Sequence, residues 1–163
     1  KGVQLGPMTT KKRLDELEEL VEITKKEGAN VLCGGKRPSG FNKGYFYEPT
    51  IFDEVKDDFK IMTEEPFGPL TPLLSFSNFE EVVKKANNQV AGLAAYICTN
   101  SLELANKTSE ALETGMVAVN TPFISNAETP FGGIKQSGYG REGGSLGIKD
   151  YLNVKYTHLG ILG

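Results

Sequence analysis

Residues 70–119 alternate between two hydrophobic patterns, and this alternation limits the fold more than any other feature of the chain. LTPLLSF at 70–76 is a short apolar run that predicts a strand. Ser77 then offers an N-cap, with Glu80 three residues on, the pattern of a capping box. Phe79, Val82, Val83 and Ala86 supply the buried side of that helix. GLAAYICT at 92–99 is continuously apolar, as expected for a strand covered on both faces. Asn100 and Glu103 repeat the capping pattern ahead of Leu104, Ala105, Thr108, Ala111 and Leu112, the stripe of a further helix that stops at Gly115. MVAV at 116–119 is again a buried strand. Strand, helix, strand, helix, strand with short connections predicts an α/β fold, a mainly parallel open sheet with helices packed on it.

The flanks add to this frame. Residues 10–27 read as a helix, with Leu14, Leu17 and Val21 at helical spacing, Leu20 and Ile23 beside them, and Gly28 as the stop. ANVLCGG at 29–35 reads as a short strand, and residues 36–44 as a loop. YFYEPTIF at 45–52 reads as a strand that Pro49 confines to an edge or an irregular stretch. YLNVKYTHL at 151–159 alternates like a terminal strand. Between these lies TPFGGIKQSGYGREGG at 129–144, with six glycines in sixteen residues. Glycine inside a helix or strand costs about 0.5–1 kcal/mol relative to alanine, so this segment is a loop with a special backbone path.

Composition narrows the function classes. A chain of 163 residues suggests one domain with a tail. A hydrophobic content of 39% and a charged content of 24% suit an ordinary globular protein. The net charge of −3 comes without a basic stripe, which argues against nucleic acid as a partner. No apolar run approaches a membrane span. Cys33 and Cys98 do not make a disulfide framework, and no signal peptide is visible, so a cytoplasmic location is expected. Asn106-Lys107-Thr108 matches a glycosylation sequon by chance on this reading. The chain opens on Lys1 rather than Met, as a piece of a longer protein would.

Several chemical signals are declined. Gly138, Gly140 and Gly143 spell G-x-G-x-x-G, but a dinucleotide fingerprint follows a strand, opens a helix and meets an acid about 20 residues later. His158 is the only histidine and supports neither a metal cluster nor a Ser-His-Asp triad. Cys33 and Cys98 fall inside expected strands, so both read as buried structural thiols.

LGP at 5–7, EEPFGP at 64–69 and PFGGIKQSGYGRE at 130–142, in this order, resemble the aldehyde dehydrogenase superfamily, in its region downstream of the catalytic cysteine. The resemblance implies an enzyme that oxidises an aldehyde to a carboxylic acid with NAD or NADP. It implies that Glu65 hydrogen-bonds the nicotinamide ribose hydroxyls and that Phe67 packs near that ribose. Taken alone, Glu64 and Glu65 read as a solvated acidic pair. Phe131 is similar to the aromatic that lines the aldehyde tunnel, although an unaligned Phe is usually core. Lys135, Arg141 and Glu142 are expected to fix the loop rather than touch substrate.

NTPFISNAETPFGG at 120–133 resembles the succinate-semialdehyde branch, where a serine at the position of Ser125 contacts the substrate carboxylate. An ordinary loop serine is the other reading of Ser125. The family's cysteine motif and its general-base glutamate motif are absent from residues 1–163, so this chain alone is expected to be inactive. The implied organisation is a catalytic-domain portion at 1–148 and an oligomerisation tail at 149–163 that makes a homo-oligomer. The rival reading is a non-catalytic binding or structural module that keeps the fold.

Overall fold

Thr10 leaves helical geometry and accepts the Arg13 N–H on its hydroxyl at 3.2 Å, which starts the first helix and satisfies one of its orphan donors. The computed structural model describes residues 5–41 and 43–163, and residue 42 of the expected 36–44 loop lies outside the described residues. Two compact units make up the chain, residues 1–77 and 78–163.

In the first unit, α1 (Lys11–Lys26) buries Leu14, Leu17, Leu20 and Val21 as one stripe. Thr24 shares that face and donates its hydroxyl to the Leu20 carbonyl at 2.8 Å, so its burial leaves no polar atom unpaired. The sheet has the order β1 (Asn30–Cys33), β2 (Thr50–Asp53), β3 (Leu70–Pro72), with β1 antiparallel and β3 parallel to β2. Phe52, fully buried on β2, shares one core with Leu14, Leu17, Val55, Phe59, Ile61 and Leu70. The register of β1 slips between Val31 and Cys33, a bulge that leaves Leu32 exposed. Burial pushes the Tyr47 phenol up to about 12.

Arg37 holds the loop after β1 on α1 by a two-pronged pair with Glu18, Nε–Oε1 and Nη2–Oε2 both 2.6 Å. This guanidinium bond lowers the Glu18 carboxyl below its ordinary value. At the far end of α1, the Glu27 carboxylate accepts the Lys60 N–H at 3.1 and 3.2 Å and so starts the short α2 (Lys60–Thr63).

The second unit runs α3 (Phe79–Asn87), β4 (Ala91–Gly92), β5 (Ala94–Ile97), α4 (Leu102–Ala111), β6 (Met116–Val119) and β7 (Ile134–Lys135). β5 and β6 are parallel, from Ala94 opposite Met116 to Ile97 opposite Val119. β4 and β7 are antiparallel. Asn87 ties the ends of the two helices together: its Nδ2 donates to the Ala111 carbonyl and its Oδ1 accepts from Glu113 N–H, both at 2.8 Å. Gly115 admits no side chain, because a Cβ there would collide with the Gly132 carbonyl oxygen. A 3₁₀ turn, Gly147–Tyr151, is the last element of regular structure among the described residues.

The α/β reading holds, with parallel and antiparallel pairings both present. Several details differ from expectation. The helix caps fall one residue later, at Asn78 and Ser101 rather than Ser77 and Asn100, because those side chains reach the Glu81 and Leu104 amides. The run 92–99 is not covered on both faces: no residue of β5 is fully buried, and Tyr96 is 57% exposed. Cys33 and Cys98 are exposed rather than buried, since Cys33 lies past the bulge of an edge strand and Cys98 beyond the end of β5. Residues 152–163 are exposed and form no strand, because no described strand runs beside them.

The Glu18–Arg37 pair gives a pH test. A carboxylate whose folded pKa is depressed contributes stability above its unfolded pKa of about 4.3 and loses it as pH falls through the lower folded value. Urea midpoints followed from pH 7 to pH 3 will fall less steeply for Glu18→Gln than for the parent chain.

Candidate functional site

The loop that follows α2 is built by consecutive tight turns. Gly68 N–H bonds the Pro66 carbonyl at 2.6 Å, and Leu70 N–H bonds the Gly68 carbonyl at 2.8 Å. Gly68 lies against α1, where a Cβ would come within 2.6 Å of Leu17 Cδ1. A larger residue would therefore push the loop off the helix. Two adjacent glutamates leave α2 with different fates. Glu64 returns its N–H to the Lys60 carbonyl at 2.9 Å and pairs with Lys60 Nζ at 3.5 Å. Glu65 has no hydrogen-bond or ion-pair partner among the described residues.

Glu65 and Phe67 line one cleft of about 310 Å³, with Arg13, Glu16 and Lys60 also on its wall. Arg13 is engaged by Glu16 at 2.8 Å. Phe67 is 70% exposed, so its ring face is open. A free carboxylate beside an open aromatic ring can accept two sugar hydroxyls and flank a planar heterocycle. These residues fit the ribose end of a nicotinamide nucleotide.

In the second unit, the glycine-rich loop is a closed lasso. Phe131 and Glu142 exchange both backbone hydrogen bonds, each 2.7 Å, at its neck. Lys135 reaches out of the loop, its Nζ bonding the Asn87 carbonyl at 2.9 Å and the Gln89 carbonyl at 3.3 Å and pairing with Glu113 at 2.6 Å. Arg141 reaches inward, its Nη1 bonding the carbonyls of Gly133 at 2.8 Å and Gly140 at 2.7 Å. The Asp150 carboxylate accepts the Arg141 N–H at 3.2 Å. Lys135 and Arg141 thus shape the loop by side chain, and Glu142 does so through its backbone.

The segment from β6 to Phe131 is set by two asparagines that the sequence reading did not single out. Asn120, at φ 56°, donates its Nδ2 to the Thr99 carbonyl at 2.8 Å and accepts Thr99 N–H on Oδ1 at 2.9 Å. This mimics one more rung of the β5–β6 ladder. Asn126 Oδ1 accepts from Glu128 N–H at 2.9 Å, Thr129 N–H at 3.0 Å and the Thr129 hydroxyl at 3.1 Å. The available signal was the Asn-rich turn composition of this segment, since Asn side chains mimic backbone turns. Ser125 and Phe131 line a cavity of about 440 Å³ together with Asn126 and Glu142. Phe131 also borders a second cavity of about 770 Å³ with Arg141, Asp150 and Tyr151.

The structure therefore brings Glu65 together with Phe67, and Ser125 together with Phe131, the two pairs belonging to different units. No helix opens on the Gly138–Gly140–Gly143 stretch; a five-residue 3₁₀ turn follows it. His158 is exposed, with its Nδ1 3.2 Å from the Tyr156 hydroxyl.

The aldehyde dehydrogenase family profile matches residues 1–157. The NADP(+)-dependent succinate-semialdehyde dehydrogenase GabD of Escherichia coli is 44% identical over 160 residues, 98% of this chain and 33% of that protein. Aldehyde dehydrogenase 1A1 of Bos taurus is 46% identical over 154 residues, 94% of this chain and 30% of that protein. The NAD+ complex of aldehyde dehydrogenase from Bacillus cereus superposes with a TM-score of 0.90 at 42% identity, covering 94% of this chain and 31% of that one. The chain spans about a third of the length of these relatives. It belongs to the aldehyde dehydrogenase family.

Arg141 offers a local test. Removing its guanidinium in Arg141→Ala unpins the Gly133 and Gly140 carbonyls. With about 1 kcal/mol lost for each of the two bonds, the Phe131 and Glu142 amides will exchange with deuterium about 30-fold faster, while the amides of α1 keep their protection.

Proposed function

We propose that this chain is the part of an NAD(P)-dependent aldehyde dehydrogenase that carries the nicotinamide-ribose contacts and one wall of the aldehyde pocket, and that the aldehyde is succinic semialdehyde. The observation that carries the reading is the pairing of Ser125 and Phe131 on one cavity, a hydroxyl donor beside an aromatic wall. An aldehyde with a distal carboxylate asks for that combination, an apolar flank for its methylenes and a donor for its far oxygen. Support for the substrate comes from the name of the Escherichia coli relative, and support for an aldehyde more generally from the bovine one.

The reaction is aldehyde plus water to carboxylic acid with release of a proton, and bound NAD or NADP would supply the hydride acceptor. In this reading the nucleophilic cysteine and the general base belong to residues beyond these 163, and the activity is that of the longer polypeptide. Glu65 would hold the ribose hydroxyls and Phe67 would flank the sugar. Both NAD and NADP remain compatible, since Glu65 reaches the nicotinamide side of either cofactor.

Residues 149–163 are assigned to subunit assembly as a homo-oligomer. What supports this is an unpaired tail with Val154, Tyr156 and Ile161 at least 83% exposed. Exposed apolar segments of this kind are normally covered. A cytoplasmic location is supported by two free thiols, Cys33 and Cys98.

Two substitutions in the active enzyme test the assignments. Glu65→Gln halves the acceptor capacity for the ribose diol. Single-turnover hydride transfer should slow about 10- to 100-fold while the cofactor Kd moves by about 3-fold or less. Equal loss in both quantities removes the orienting role. Ser125→Ala should lower kcat/KM for succinic semialdehyde about 10-fold or more and leave butanal within about 3-fold. Parallel losses on the two aldehydes would reject the contact.

A further inference from the structure

Asn126 makes all three of its side-chain hydrogen bonds through one atom. Its Oδ1 accepts from two backbone amides and a hydroxyl of Glu128 and Thr129, between 2.9 and 3.1 Å. Three donors on one atom fix which end of the amide is oxygen, and so fix where the nitrogen stands. That nitrogen, Nδ2, carries two donor hydrogens and has no partner among the described residues. Asn126 lines the same cavity of about 440 Å³ as Ser125 and Phe131. Ser125 itself has no side-chain partner among the described residues. A turn thus presents two adjacent neutral donors, one of them locked in orientation by bonds that a ligand does not have to supply.

We propose that Asn126 is a specificity-determining residue, its Nδ2 donating to the distal carboxylate of the aldehyde beside the Ser125 hydroxyl. The proposal rests on the substrate class stated above. The cavity wall carries one carboxylate, Glu142, and no cation. The Ser125–Asn126 pair therefore supplies direction rather than charge, selecting a planar two-oxygen group that can accept from both donors at once. Because the turn is already folded, little side-chain entropy is lost on binding.

Asn126→Asp is the decisive variant. An Asp oxygen can keep the three acceptor bonds that fold the turn, while both Nδ2 donors disappear and a negative charge takes their place. In the active enzyme, kcat/KM for succinic semialdehyde should fall about 10- to 100-fold, with the loss mainly in KM, and that for butanal should stay within about 3-fold. Asn126→Ala, which also loses the turn bonds, should depress both substrates, and Asn126→Asp should restore butanal alone.

Outcomes separate the two layers of the argument. If Ser125→Ala erases the preference for the carboxylate while Asn126→Asp leaves it intact, the substrate reading stands and the Asn126 assignment is overturned. An enzyme with no preference for the carboxylate, in which Asn126→Asp changes neither aldehyde, overturns both. Equal losses on the two aldehydes in Asn126→Asp reduce Asn126 to a folding role and overturn the assignment.

Discussion

A glycine-rich loop has few side chains to pack, so its shape depends on what satisfies its own peptide groups. Between Phe131 and Glu142 that work is shared by the β4–β7 pairing, a reciprocal backbone pair at the neck and two long cations. The pair closes the neck, and Arg141 spans the interior between the Gly133 and Gly140 carbonyls. Lys135 anchors the loop outward on the carbonyls of Asn87, the last residue of α3, and of Gln89. Each bond is worth only about 1 kcal/mol, but together they convert a flexible composition into one path. Phe131 inherits its position from this arrangement, and the cavity it shares with Ser125 inherits its wall.

The first unit reaches a similar result by different means. Its core is apolar, with eleven buried residues of α1, the sheet, α2 and their connections in one cluster among the described residues. The Glu65 loop is a rider on that core. Gly68 seats it on Leu17, and Glu27 sets the start of α2 from the far end of α1. The second unit buries only Ala105, Met116 and Ala118 among its described hydrophobic residues. Its order comes from polar clasps at Asn87, Asn120, Asn126, Lys135 and Arg141. Substitutions in the first unit will be felt as global stability, and those in the second as loop geometry.

What could be read from the amino-acid order follows the range of the interactions involved. Local rules worked: the stripe of Leu14, Leu17 and Val21, the stop at Gly28 and the helices after residues 77 and 100 all rest on contacts within a few residues. The caps were off by one because Ser77-Asn78 and Asn100-Ser101 each offer two capable side chains in a row, and the sequence does not say which one faces the open amides. Strand lengths were overestimated because pairing is set by a distant partner. YFYEPTIF is strand only from Thr50, where β3 and β1 begin to flank it. The two cysteines failed for the same reason, since an apolar run does not reveal that its strand is an edge.

The candidate site divides along the same line. Motif resemblance points to Glu65, Phe67, Ser125 and Phe131, yet nothing local distinguishes Glu65 from Glu64. The difference arises from geometry: Lys60, one helical turn back, takes Glu64 and leaves Glu65 open to a ligand. Asn120 and Asn126 bond mainly to backbone, and turn composition alone does not say which asparagine of a segment does so. Both lie on the stretch between the end of β6 and Phe131, where the end of a parallel pair gives way to a loop. Side chains that substitute for missing ladder bonds belong at such an end, because the loop must be rigid there without the help of a neighbouring strand.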